Sequence, residues 1–241
     1  MHCCAKWLFQ FDIENFFYSI NEADIYRIFQ AMGYKELLSF EFARLCTTIY
    51  LPRGSRYKID TPSSLKDYAF YYPNKFMGVL PQGAPTSPML SNLAAKALDE
   101  ELNNFALSNN LVYTRYADDL IFSAIDLPTA LSVNNIRREI IQIIRKNHFK
   151  ENKEKTRIAG PGAKKIVLGL LVDKAKPRIS REMFNRIERL IYSIKKFGYP
   201  ETAKHENFES TYGFRNHVRG LLNFVKDVDE DKWELFIQKL Q

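Results

Sequence analysis

The sequence predicts an α+β fold in two parts: a strand-and-helix domain over residues 1–179, then a small helical domain over residues 180–241. Two observations predict it. The segments WLFQFDI (7–13), YTRYADDLIFS (113–123) and IVLGLLV (166–172) are apolar or alternating and read as strands, with helical patterns between them. From Ser180 onward the pattern is helical alone, which sets the boundary near residue 179.

The elements follow in order. Residues 7–13 form a buried strand, and SINEADIYRIFQAMG reads as a helix capped by Ser19 or Asn21 and ended by Gly33. Leu37, Phe40, Leu45 and Ile49 give residues 36–50 helical spacing. Residues 51–80, punctuated by Pro52, Gly54, Pro62, Pro73 and Gly78, read as an aromatic-rich loop or hairpin. A helix from Ser87 to about Ser108 has Ser87 as N-cap, Pro88 at its first position and an apolar stripe from Leu90 to Leu102. After the hairpin at 113–123 comes a helix through Ile136, Ile140, Ile143 and Ile144. The basic loop KENKEKTRIAGPGAKK and the strand IVLGLLV follow. The last part holds a helix from Met183 closed by Gly198, a middle helix around Tyr212 to Val225, and one carrying Trp233, Phe236 and Leu240.

Composition narrows the class. With 46% hydrophobic and 14% aromatic residues the chain can bury a core, which excludes a disordered protein. No apolar run approaches the ~18 residues of a membrane helix, and the N-terminus lacks a signal peptide's layout, so a soluble cytoplasmic protein without membrane partners is expected. Cys3, Cys4 and Cys46 offer neither a disulfide framework nor zinc-ligand spacing. Net charge is +7, but residues 137–181 alone carry +10, which leaves −3 elsewhere. A belt of that density suits the phosphates of a polyanion, although a solvated helix face and a basic loop would also account for it.

Three carboxylates carry the chemistry. Asp12 ends a strand between Phe11 and Ile13, where an ionised group is costly unless something balances it. Asp118 and Asp119 interrupt a hairpin, and adjacent like charges raise each other's pKa unless a cation lies between them. A divalent metal relieves both difficulties, and Mg²⁺ takes a few carboxylates and completes its shell with phosphate oxygens and water. Alone, the Asp-Asp pair would read as an ordinary solvated turn.

The ordered neighbours decide between the two. FQFDIENFF, LPQGAPTSP, YTRYADD, NKEKT and VLGLLV, in this order, resemble motifs A to E of reverse transcriptases, most closely bacterial retron, group II intron and phage-defence enzymes. The resemblance covers nearly the whole chain. It implies a right-hand polymerase palm, an antiparallel sheet packed on helices, followed by a helical thumb. It also implies RNA-directed DNA polymerase activity, with an RNA template, a DNA or RNA primer and dNTPs as partners, and two Mg²⁺ ions that Mn²⁺ can replace. Asp12 and Asp118 would ligate the ions, Asp119 would support them, and Lys155 would donate charge or a proton to the departing pyrophosphate. Ile13, Phe17, Gln82, Gly83 and Tyr116 would meet the incoming nucleotide, with Phe17 excluding a 2′-hydroxyl and Phe16 left to the core. Arg157, Lys164, Lys165 and Gly169 would meet nucleic acid.

The chain also departs from the pattern. The family carries a fingers region before motif A, whereas eleven residues precede Asp12, so a fragment or incomplete copy is expected. Fingers supplied by a second protein subunit are the alternative. Val167-Leu168-Gly169 stands where retron enzymes tend to have Val-Thr-Gly, and no Asn-Ala-x-x-His lies upstream. No endonuclease extension of the intron type follows the thumb. These departures favour a phage-defence (antiviral) type, with or without a non-coding RNA partner. An RNA-directed RNA polymerase and a nucleic-acid-binding module without turnover are the competing readings.

Overall fold

The structure, a computed structural model, describes residues 1–48, 77–127 and 132–240. Residues 51–76 of the expected aromatic-rich loop lie outside them. The chain divides into two compact units, one of Phe9–Ser123 and Leu127–Ile158, the other of Met1–Leu8, Ala124–Asp126 and Ala159–Gln241.

A four-stranded sheet of order β2-β3-β1-β4, most of whose residues belong to the first unit, is built from β1 (Trp7–Asp12), β2 (Val112–Tyr116), β3 (Asp119–Ala124) and β4 (Arg157–Ala159). The expected basic loop therefore contributes an edge strand at Arg157–Ala159. β2 and β3 form an antiparallel hairpin with Tyr116 opposite Asp119. Phe9, Phe11, Leu120 and Phe122 are buried, as expected of β-branched and aromatic strands that pack a core. Phe122 lies edge-on to Phe11 at 6.1 Å and stacks on Tyr113 at 4.7 Å between ring centres.

Helices α1 (Glu22–Ala31), α2 (Glu36–Cys46), α3 (Ser87–Ala94), α4 (Lys96–Ser108) and α5 (Val133–Lys146) belong to the same unit. Asn21 caps α1 in a reciprocal box with Asp24, and Gly33 follows with φ +92°. Ser132 caps α5, whose Ile136, Ile140 and Ile144 recur on one buried face. The single helix expected over 87–108 is two, parted at Ala95 (φ −85°, ψ 6°). Its N-cap is Thr86, and the Ser87 hydroxyl instead donates to the Pro81 carbonyl at 2.7 Å. That bond fastens the preceding loop to the helix start.

In the second unit the expected strand IVLGLLV is a hairpin. Leu168 (φ +47°) and Gly169 (φ +82°) turn the chain between β5 (Ile166–Val167) and β6 (Leu170–Leu171), and β7 (Arg178–Ile179) pairs with β6. Helices α6 (Arg181–His205), α7 (Thr211–Val228) and α8 (Glu230–Leu240) follow. Ser180 caps α6 through the Met183 amide at 3.1 Å, and Gly198 (φ +76°, ψ 168°) breaks it as the sequence predicts. Ile187, Leu190, Ile191, Phe214, Val218 and Phe236 form the core, and Ile179 joins them. Among the described residues no helix is long and apolar enough to cross a membrane.

Candidate active site

Two local features bring Asp12 and Asp118 together. β1 stops at Asp12, and the Tyr116–Asp119 pairing leaves Ala117 and Asp118 as a two-residue loop, with Ala117 at φ +52°. The Ile13 amide then donates to the Asp118 carbonyl at 3.0 Å, which pins the loop to the end of β1. Both aspartates line a pocket of about 300 Å³ whose wall includes Phe17, Gln82, Asn152 and Lys155.

Asp12 is only 6% exposed, and its charge is balanced from within the chain: Lys155 Nζ lies 2.8 Å from Oδ2. The segment carrying Lys155 is laced to the end of β1. The Asn152 amide donates to the Asp12 carbonyl at 2.7 Å, and the Glu14 amide to the Lys150 carbonyl at 2.8 Å. Asn152 Oδ1 accepts from the Glu154 and Lys155 amides at 3.1 and 3.4 Å, an Asx turn that aims Lys155 back at the strand. Glu151 is buried and holds the Arg145 guanidinium, while Lys150 pairs with Glu14 at 2.7 Å.

Electrostatics follow from this arrangement. Burial first, then the charges of Asp118 and Asp12, push the Asp119 carboxyl above its ordinary value, and Lys155 opposes them. The hydrogen bond and charge of Asp12 raise Lys155, with smaller help from Asp118 and Asp119, so its ammonium stays protonated. Among the described residues no three His, Cys, Asp or Glu side chains form a ready-made metal cage. Two carboxylates facing one pocket, with room left for water and phosphate oxygens, are nevertheless a donor set that suits Mg²⁺ or Mn²⁺.

The remaining candidates separate by position. Phe16 and Phe17 both border the pocket, but Phe16 is buried (3% exposed) against Phe17 and Phe149, with centroids 5.5 and 5.6 Å away, while Phe17 is half-buried. Ile13 borders the pocket but is 1% exposed, its amide already used by Asp118. Gly83 needs its φ of +94°, and a Cβ there would meet no neighbour within 4 Å. Tyr116 is 66% exposed at the hairpin tip and does not line the pocket. Arg157 and Lys164 are exposed, and Gly169 serves the β5–β6 turn. Lys165 corrects an expectation: it is 4% exposed and its ammonium donates to the Gly160 and Ala163 carbonyls at 3.0 Å each. It braces its own loop.

Sequence reasoning missed Asn152, Glu151 and the part-buried pair Arg115–Asp99. Asn152 alone carried a legible signal, an Asx residue two and three positions before the amides it caps.

A family description, reverse transcriptase (RNA-dependent DNA polymerase), matches residues 2–179. The chain is 29% identical over 228 residues to the retron Ec86 reverse transcriptase of Escherichia coli, covering 95% of this chain and 58% of that protein. It is 31% identical over 235 residues to the retron Mx65 reverse transcriptase of Myxococcus xanthus, covering 97% of this chain and 49% of that protein. A solved foamy viral protease-reverse transcriptase in complex with double-stranded DNA aligns at TM-score 0.48 and 14% identity, over 93% of this chain and 28% of that one. The chain thus spans about half the length of the curated relatives it matches. Those relatives are retron enzymes, which corrects the inference from Val167-Leu168-Gly169: the Val-Thr-Gly departure does not separate this chain from them. With the motif order, the hairpin bearing Asp118 and a family match over most of its length, the chain belongs to the reverse transcriptase family.

Proposed function

We propose that this chain is the palm (1–179) and helical thumb (180–241) of a retron-type RNA-directed DNA polymerase, which adds dNTPs to a primer 3′-hydroxyl on an RNA template. The observation that carries this reading is the shared pocket of Asp12 and Asp118, walled by Phe17, Gln82 and Lys155.

In this reading Asp12 and Asp118 hold two Mg²⁺ ions, or Mn²⁺ in their place, and Asp119 supports them by its charge. The ions would activate the attacking hydroxyl oxygen and stabilise the leaving one. Phe17 lies beneath the sugar and rejects a 2′-hydroxyl. Gln82 orients the nascent pair by hydrogen bonding, and Gly83 lets the backbone approach the nucleotide. Lys155 carries the positive charge that meets the departing pyrophosphate and has a proton to give it. No covalent intermediate on the protein is needed, so positioning and charge stabilisation supply the rate. Arg157 and Lys164 contact phosphates without reading sequence. We place the enzyme in the cytoplasm, with a structured non-coding RNA as partner.

The test is primer extension on an RNA template with Mg²⁺, by this chain and by a longer form carrying the rest of the relatives' length. Incorporation of dNTPs that Asp118→Asn abolishes is the expected result. Incorporation that survives Asp118→Asn sinks the site, and salt-sensitive binding without synthesis by either form would leave a binding module only.

A further inference from the structure

Arg115 presents an unusual situation for a strand residue. Its side chain is only 7% exposed, and an ionised group so placed is costly unless all its donors are engaged. The engagement is extensive. Nε donates to Asp99 Oδ1 at 2.7 Å and Nη2 to Asp99 Oδ2 at 2.5 Å, a two-pronged pair that a guanidinium makes and an ammonium cannot. The Tyr113 hydroxyl donates to the same carboxylate at 2.8 Å. Nη1 donates to Asn92 Oδ1 at 3.1 Å and to the Ala117 carbonyl at 3.2 Å, and the guanidinium lies over the Phe16 ring at 5.6 Å.

Two of these contacts lead to the pocket. Ala117 is a non-glycine residue at φ +52°, a conformation that strains an alanine, and it is the residue immediately before Asp118. Phe16 is the buried ring against which Phe17 rests. Asp99 and Asn92 sit on α4 and α3, so one side chain joins two helices, the hairpin loop and the aromatic pair. Stability of the strand alone would not call for a hydrogen bond to the carbonyl of the strained Ala117.

We propose that Arg115, locked by Asp99, is a positioning residue that holds the Ala117–Asp118 loop in its left-handed turn and thereby sets where the Asp118 carboxylate points. The inference rests on the reading above, in which Asp118 is a metal ligand. Arg115 touches no reacting atom. Its effect reaches the reaction through the loop and, by way of Phe16, through the ring of Phe17.

The test measures Mn²⁺ binding to the chain by electron paramagnetic resonance, with cooperative unfolding followed by circular dichroism. Arg115→Lys keeps the charge and loses the fork. It should weaken Mn²⁺ binding about tenfold, the range seen when a group supporting a metal ligand is lost. Adding Ala117→Gly, which adopts the turn unaided, should restore roughly threefold of that loss. A folded Arg115→Lys protein with unchanged Mn²⁺ affinity overturns the proposal, as does a loss that Ala117→Gly does not relieve. Should Arg115→Lys fail to fold, Asp99→Asn leaves the arginine in place, breaks the lock, and is held to the same two criteria. Asp118→Asn separates the two levels: if it binds Mn²⁺ as the unaltered chain does, the ligand assignment itself fails, whatever Arg115 does.

Discussion

Lys155 Nζ lies 2.8 Å from Asp12 Oδ2, across 143 residues of chain, and this contact neutralises a carboxylate that is otherwise nearly enclosed. The lysine is itself largely exposed, so the pair faces the pocket instead of the core. A cation at the end of β1 is therefore part of the resting site, where the proposed function has it meet the departing pyrophosphate.

Removal of that cation should slow the chemical step more than it weakens nucleotide binding. Lys155→Ala is expected to lower kcat on the order of 10²-fold, the usual scale of general-acid assistance, with KM for dNTP changed little. Lys155→Arg should recover part of the rate, since charge returns but the proton is held too tightly to give. Single-turnover primer extension checks both.

Phe17 should set sugar selectivity. Phe17→Ala opens the pocket wall without touching either carboxylate, so rNTP incorporation should rise on the order of tenfold relative to dNTP. Competition between dNTP and rNTP on one template measures the ratio, and an unchanged ratio would remove Phe17 from the specificity argument.

Glu151 should make stability depend on acid. Burial alone would push its carboxyl up, but hydrogen bonds and charge from Arg145 outweigh this and hold it below the ordinary carboxylate value. A depressed folded pKa means that the ion pair's contribution is complete above the unfolded value and is lost as pH falls through the lower, folded one. Glu151→Gln should accordingly lower the unfolding midpoint at pH 7, and the gap to the parent protein should close as pH drops below the carboxylate range. Urea titrations at several pH values measure it.

Phe122 should be the costliest single truncation in the sheet. It is fully buried between the rings of Phe11 and Tyr113, so Phe122→Ala forfeits burial and leaves a cavity, a loss of about 3–5 kcal/mol. Chemical denaturation provides the value. A loss below about 1 kcal/mol would mean that the site collapses around the smaller side chain.

Local signals carried much of this protein. Asn21 before Asp24, Ser180 before a periodic apolar face, Gly33 and Gly198 at helix ends, and the recurrence of Ile136, Ile140 and Ile144 are short-range features, and each became the element it implied. The family motifs, likewise read in order along the chain, led to Asp12, Asp118, Phe17, Gln82 and Lys155, which share one pocket. Where the reading went astray, a nearby partner had replaced a local preference. Ser87 bonded to Pro81 instead of capping its helix, Lys165 turned inward to two carbonyls, and Leu168-Gly169 bent a continuous apolar run into a hairpin.

Tertiary structure alone decided who balances whom. That Lys155 would sit on Asp12, 143 residues away, and that Arg115 would fork onto Asp99 of α4 depends on separate segments being brought together. Arg145 on Glu151 and Arg115 on the Ala117 carbonyl are pairs close in the chain that meet only once the intervening turns are folded. Charge pairing has no periodicity along a sequence. It is settled only when burial removes water and leaves each ion to the nearest group able to neutralise it.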